Sequence, residues 1–160
     1  PAARATARAP LAARRAGAAL LGAYVAAQLL LPLRHHLYPG DVAWTEEGHR
    51  FAWRMKLRDK RGAAEFTVID RAAGRAWSVD PSDRLTSWQY DAVATEPQLL
   101  VHYAHELARR WEEYGIPGVQ VHARTLVSLN GRDPAPLVDP TIDLAALDHC
   151  RPPRCILPLP

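Results

Sequence analysis

The chain has 160 residues, which is enough for one domain with a hydrophobic core and too few for two well-packed domains. Its formal net charge of +3 is too small to indicate nucleic-acid binding. Its richness in alanine, arginine and proline carries no functional information by itself, so we expect one domain accompanied by a tail or an anchor.

The first predicted element is an uncharged apolar run over residues 16–33. As an α-helix it would be roughly 27 Å long, just enough to cross the core of a bilayer. Residues 1–15 contain four arginines and no acidic residue, whereas Asp41, Glu46 and Glu47 follow the run. The positive-inside rule therefore predicts a cytoplasmic basic segment over 1–15, a transmembrane helix over 16–33 and an extracytoplasmic remainder.

Two alternatives to a membrane span remain open. A cleaved signal peptide would also begin with arginines and an apolar run, but the sequence LLLPLRHH lacks the usual small-x-small cleavage site. A buried helix of a soluble domain is allowed by the marginal length of the run. The chain begins with Pro1 instead of methionine, and we expect it to be a fragment of a longer protein.

A half-buried strand is predicted over residues 50–58, where apolar and charged residues alternate. Its inner face would carry Phe51, Trp53, Met55 and Leu57. The opposite row would be either a solvated strand face or an electrostatic surface for an acidic partner, and it comprises Arg50, Arg54, Lys56 and Arg58.

Further strands are predicted over residues 64–70, with Phe66 and Val68 facing inward, and over residues 75–80. Turn residues separate these segments, so the three strands are expected to form an antiparallel meander with its charged face open to solvent.

A helix is predicted to begin at a Thr-x-x-Gln capping box formed by Thr95 and Gln98, with Pro97 in the first turn. Apolar residues at helical spacing would cover the sheet, and they are Leu100, Tyr103, Leu107 and Trp111. A long strand over 119–129 should follow and end at an Asn-Gly turn, and residues 135–140 can return as a short edge strand.

The predicted fold class is therefore α+β. An antiparallel, sandwich-like, β-rich domain over residues 34–147 would be covered by one main helix and preceded by one transmembrane helix. Residues 148–160 would form a proline- and cysteine-containing tail, in which Cys150 and Cys155 could either form a disulfide or remain free thiols. A metal pair is less favoured because no further ligands at zinc-like spacing accompany them.

Motifs for catalysis are weak in this sequence. His102, His105 and Glu106 share a helix and make a metal site conceivable, but the string matches no metalloenzyme motif, so a solvated helix face is the favoured interpretation and no metal is expected. Asp139 and Asp143 are better explained as turn and helix-capping residues. No catalytic residue is predicted from the residues alone.

One segment is more specific. Residues 44–55, WTEEGHRFAWRM, resemble the W-T-x(5)-[FY]-[SA]-W-x-M segment of the vitamin K-dependent gamma-glutamyl carboxylase family, within the HTTM-type membrane proteins. The similarity continues in order through GRAWSVDP, PQLLVHYAHELARRW, VSLNGR and LVDPTIDL. It covers about residues 30–147 of the chain.

The resemblance implies a polytopic membrane enzyme of which this chain looks like the last membrane helix and the β-rich lumenal domain. In that family reduced vitamin K is oxygenated, the strong base so formed removes a γ-proton from a peptide glutamate, and carbon dioxide then adds. Vitamin K hydroquinone would be bound by the membrane portion. Neither Lys56 nor Lys60 matches the catalytic lysine, so the chain alone is expected to be catalytically silent.

The family segment that corresponds to residues 44–55 is associated with holding the glutamate substrate. By this resemblance the candidate substrate contacts are Trp44, Thr45, His49, Phe51 and Trp53. His49 stands where family members can carry tyrosine, and Gly48 replaces a larger apolar residue, so another substrate, or quinol oxygenation alone, is the alternative. From the residues themselves, core packing or an aromatic belt at the membrane exit also explains the aromatic side chains.

The expected partners are a lipid bilayer, of bacterial cell-membrane type, and a glutamate-containing peptide. A rival interpretation from another class is a membrane-anchored extracytoplasmic module that binds acidic peptides or lipid headgroups without catalysis. Upstream sequence would separate the two, since further apolar spans favour the enzyme.

Overall fold

The structure, a computed structural model, describes residues 10–54 and 57–160. Helix α1 (Leu11–Leu30) follows Pro10 and continues as a 3₁₀ helix over Leu31–Leu37. None of the residues of α1 is buried, and the helix is long and apolar enough to cross a membrane. It begins before the predicted residue 16 and therefore includes the last two arginines of the basic segment.

A single antiparallel sheet forms the centre of the domain that follows. Its strands are β1 (Lys60–Asp70), β2 (Arg75–Val79) and β3 (Gln120–Leu129), in the order β2-β1-β3. Phe66 lies opposite Ala123, and both are buried because alternate residues of each strand face the core. The α+β class and the strands predicted near these three positions are confirmed.

Two helices, α3 (Ser87–Thr95) and α4 (Pro97–Glu113), cover the apolar face of the sheet. The ring of Tyr103 on α4 lies 4.9 Å from that of Phe66, centre to centre. Leu100 and Leu107 are buried as their spacing predicted, whereas Trp111 is only partly buried.

The predicted capping box at Thr95 is wrong, although α4 begins as expected at Pro97. The hydroxyl of Thr95 donates a hydrogen bond of 2.7 Å to the carbonyl of Asp91 and so belongs to the end of α3. The capping box of the structure lies at Thr86 and Gln89 and begins α3, a helix that the sequence interpretation missed. Two Thr-x-x-Gln strings lie close together in the sequence. The sequence alone did not show that the threonine of the second string is the last residue of a preceding helix.

The predicted strand over residues 50–58 is wrong in the described part of that range. Residues 50–54 and 57–59 form turns and irregular backbone, and Phe51 has a positive φ of 60°. Both edges of β1 are occupied by β2 and β3, so a strand preceding β1 has no place beside it. Phe51 and Trp53 are 78% and 70% exposed instead of packed in the core, and Leu57 is also exposed. Met55 and Lys56 lie outside the described residues.

The C-terminal segment packs against the domain instead of forming a separate tail after residue 147. Val138 pairs with Ile156, which is buried, and Cys150 is joined to Cys155 by a disulfide. The indole N–H of Trp44 donates a hydrogen bond of 2.8 Å to the carbonyl of Leu157. This bond ties the end of the chain to the short, buried helix α2 (Val42–Thr45).

Two smaller predictions concern the segment between β3 and the disulfide. The edge strand expected over residues 135–140 is reduced to isolated bridges, one joining Val127 to Ala135. The capping role of Asp143 is confirmed, since its carboxylate accepts hydrogen bonds from the backbone N–H groups of Ala145 and Val121. It therefore fixes the turn after Pro140 to the start of β3.

Candidate functional site

A cleft of about 650 Å³ opens beside the exit of the apolar helix. It lies between Tyr38, which follows the 3₁₀ helix, the loop after α2, the start of α4 and the disulfide segment. Charged side chains and histidines dominate its lining, among them Glu46, His49, Arg50, Arg58 and Glu96. We call this feature the exit cleft.

Lys60, the first residue of β1, does not line the exit cleft itself but contacts Glu46, which does, and only 4% of the Lys60 side chain is exposed. Its Nζ donates hydrogen bonds to the carbonyls of Trp44 (2.7 Å) and Thr95 (2.9 Å) and to Oε1 of Glu46 (3.1 Å). All three ammonium hydrogens therefore have acceptors, so Lys60 joins the ends of α2 and α3 to the sheet. Burial lowers the pKa of Lys60, and the Glu46 carboxylate partly opposes that shift.

Glu46 reaches the cleft because α2 ends at it with a left-handed backbone, φ 65°. Asp41 caps the other end of α2 by accepting a 2.8 Å hydrogen bond from the N–H of Ala43. The carboxylate of Glu46 is shared by Lys60 and by the guanidinium of Arg58. Glu46 is thus a paired, structural acid.

A second acid, Glu96, lies between α3 and α4 at the edge of the exit cleft. Burial raises the pKa of Glu96, and the negative charge of Glu46 raises it further. This carboxyl group holds its proton to higher pH than a solvated glutamate would.

His49 and Arg50 line the mouth of the exit cleft. Burial lowers the pKa of His49, and the positive charge of Arg58 lowers it further, so the imidazole is neutral at neutral pH. In the described part of the chain, the ion pairs of the cleft join Glu46 to Arg58 and Lys60, and Glu47 to Arg151; none of them includes Arg50. The guanidinium of Arg50 therefore remains available to an anionic ligand.

The structure does not bring the five predicted substrate contacts together at one site. Thr45 and His49 line the exit cleft, whereas the ring of Trp44 is 1% exposed and packs in the core. The aromatic-belt interpretation of Trp44 is therefore wrong. Phe51 and Trp53 are absent from the described lining and lie on the exposed loop that follows.

Sequence reasoning missed the group formed by Glu46, Lys60 and Glu96. One signal was available: Lys60 is one of two lysines in a chain whose other cations are arginines. A compact ammonium fits three converging acceptors better than a planar guanidinium does. In the described part of the predicted basic row, Arg50, Arg54 and Arg58 do not lie on a strand, and Arg58 turns inward to Glu46.

The histidines of α4 form no metal centre in the described residues, where no three metal-binding side chains converge. Glu106 is held instead by Arg109 and Arg110. His102 contacts Gln98, which also contacts His149 at the cleft rim. These contacts fix the rim of the exit cleft through hydrogen bonds.

Fold and site together define a small α+β domain that follows directly on a candidate membrane-spanning helix and has a charged cleft at the helix exit. Residues 13–160 match the family described as vitamin K-dependent gamma-carboxylase, lumenal domain, and the chain belongs to that family. No solved structure matches the chain significantly. The family and the apolar helix together indicate a membrane-associated protein with an extracytoplasmic domain.

Proposed function

We propose that this chain is the extracytoplasmic part of an integral membrane carboxylase that depends on reduced vitamin K, and that the exit cleft holds a glutamate side chain of a peptide substrate. The observation that carries the proposal is the position of the cleft. It opens beside Tyr38 at the exit of α1, so a bound side chain would lie next to the membrane portion, to which the resemblance assigns the chemistry.

Arg50 is the proposed ligand of the substrate carboxylate, because a guanidinium without an acidic partner in the described residues can form two charge-assisted hydrogen bonds with it. Neutral His49 can donate or accept a further hydrogen bond, and Thr45 lies beside it on the cleft wall. Trp44 supports the cleft from the core. These residues would bind and orient the glutamate, while its γ-carbon stays exposed to the base.

Charged side chains and histidines are prominent in the lining of the exit cleft, which makes it an unfavourable site for the apolar reduced vitamin K. Lys60 is not available as a base because three acceptors already hold its ammonium group. We therefore assign the cofactor and the catalytic lysine to the membrane portion of the protein. The arginines before and within the first turns of α1, together with the disulfide, support an orientation with this domain on the oxidising, extracytoplasmic side, and the membrane we propose is of bacterial cell-membrane type.

Peptide binding to the chain in detergent micelles tests the site. A short glutamate-rich peptide should bind, and the same peptide with glutamine in place of glutamate should not. Arg50→Gln should weaken binding about tenfold or more, because a charge-assisted hydrogen bond contributes about 1.5–3 kcal/mol. Arg61→Gln, at an exposed position outside the cleft lining, is the matched control. Equal binding by both variants would remove Arg50 from the site.

The activity is tested in membranes that contain the full-length protein. Epoxidation of reduced vitamin K together with a carboxylated peptide would support the carboxylase. Epoxidation without carboxylation would indicate a quinol oxygenase that acts with another substrate.

A second candidate function is a binding module for acidic peptides without catalysis. The guanidinium of Arg50, which has no acidic partner among the described residues of the cleft, supports it, because holding an acidic side chain requires no base. Glutamate-dependent peptide binding with no turnover by the full-length protein would support this alternative.

A further inference from the structure

We infer that the loop carrying Phe51 and Trp53 is inserted in the lipid headgroup region, beside the point where α1 leaves the bilayer. Here we call residues 50–54 the aromatic loop. This inference does not depend on the proposed function, and it assigns to lipid two side chains that the resemblance assigned to substrate.

The exposure of the aromatic loop requires an explanation. Phe51 and Trp53 expose most of their side chains, although neither carries enough polar surface to favour water. Phe51 also has a left-handed backbone, which is unfavourable for a bulky residue and turns its ring outward from the domain. Such an arrangement is stable where an apolar surface receives the rings.

Three contacts fix the aromatic loop to the exit of α1. The guanidinium of Arg34, in the 3₁₀ helix, donates a 2.5 Å hydrogen bond to the carbonyl of Arg50. The same guanidinium lies 5.7 Å from the centre of the Phe51 ring. Just before the loop, Gly48 approaches so closely that a Cβ atom there would lie 2.8 Å from Cα of His35.

These contacts place the aromatic loop at the level of the membrane exit and not at the far side of the domain. Aromatic side chains are enriched at that level, where a ring can contact acyl chains while polar neighbours remain in the headgroup region. Arg54 follows Trp53 directly, and its positive charge complements the negative charge of anionic headgroups. The two exposed rings therefore match a lipid surface, whereas Arg50, at the start of the loop, lines the cleft mouth.

The experiment reconstitutes the full chain in vesicles of phosphatidylcholine and phosphatidylserine whose acyl chains carry bromine near the glycerol backbone. Bromine quenches tryptophan emission on contact. Trp53→Phe should remove most of the lipid-dependent quenching, because Trp44, the other tryptophan near the exit, is buried. Trp88→Phe is the matched control, since Trp88 is 69% exposed and lies at the N-terminal end of α3, whereas Thr95 lies at its C-terminal end.

Four results would overturn the inference. Three of them concern quenching: equal quenching in the Trp53 and Trp88 variants, no lipid-dependent quenching at all, or protection of Trp53 from both brominated lipid and aqueous acrylamide. The last result would mean that protein covers the loop. A shift of Trp53 emission on adding the glutamate-rich peptide, without quenching by lipid, would also overturn it and return the loop to the substrate site. Both variants should fold, because both indoles are exposed.

Discussion

Replacement of Lys60 by methionine tests whether its buried ammonium group holds the exit cleft together. Methionine keeps the apolar stem within the core but removes the three hydrogen bonds that join α2, α3 and β1. Two backbone carbonyls, of Trp44 and Thr95, lose the ammonium as a donor. Glu46 keeps Arg58 as a partner and is not left as an isolated buried charge.

The expected loss follows from these groups. A buried polar group left without its partner costs about 1–3 kcal/mol, and breaking a buried ion pair costs about 3–5 kcal/mol. The retained pair between Arg58 and Glu46 and the removal of a desolvated cation both reduce the loss. We therefore expect Lys60→Met to lower the free energy of unfolding by about 3 kcal/mol.

Urea unfolding of the chain in micelles, followed by circular dichroism, measures this loss as a decrease in the midpoint of about 2 M. Arg61→Met is the matched control. The Arg61 side chain is 84% exposed and pairs with Asp59 alone among described residues, so its loss should stay within about 0.5 kcal/mol. Equal losses for the two variants would refute the reasoning that Lys60 joins the three elements.

Three further predictions concern pH, the disulfide and the exposed loop. Burial lowers the pKa of His49 from 6.5, so below that pH the unfolded chain binds more protons than the folded chain. The free energy of unfolding should therefore fall on acidification from about pH 7 to about pH 5, and His49→Gln should reduce this dependence on pH. Replacing Cys150 and Cys155 by serine should lower the free energy of unfolding by about 2 kcal/mol, as expected for a loop this short. Trp53→Ala should cost below about 1 kcal/mol, whereas Phe66→Ala should cost about 3–5 kcal/mol, by thermal unfolding.

Each of these has a contradicting outcome. An unchanged acid slope in His49→Gln would show that His49 is solvated in the folded state. If the variant with serine at positions 150 and 155 were as stable as the oxidised wild type, the disulfide would not contribute to stability. A loss of about 3 kcal/mol for Trp53→Ala would mean that its ring is packed in a core.

Periodicity predicted the interior of the fold well, because β1, β3 and α4 have one apolar face each. Phe66, Val121 and Leu107 are buried at positions that the alternation or the helical spacing specified. The same signal failed over residues 50–58, where alternation was present but both edges of β1, the strand that follows, are taken by β2 and β3. Whether a strand has a neighbour depends on the whole topology, which a local pattern does not contain.

The candidate site was less predictable than the fold. The resemblance identified the segment of Thr45 and His49, which line the exit cleft, but it grouped them with Phe51 and Trp53, which lie outside its described lining. Glu46, Gly48 and Phe51 all have a positive φ, so the backbone turns repeatedly within the segment, and no spacing rule in the sequence reveals these turns. Lys60 was missed because its partners are mainly backbone carbonyls, which any sequence supplies.

Gly48 also determines how the domain responds to movement in the membrane. Its backbone lies directly against His35 and the Tyr38 ring, without a side chain that could act as a compliant spacer. A tilt or rotation of α1 would therefore be transmitted through this contact to His49 and Arg50 with little loss. A larger residue at position 48 would clash with His35 and the Tyr38 ring and would push the cleft mouth away from the end of the apolar helix.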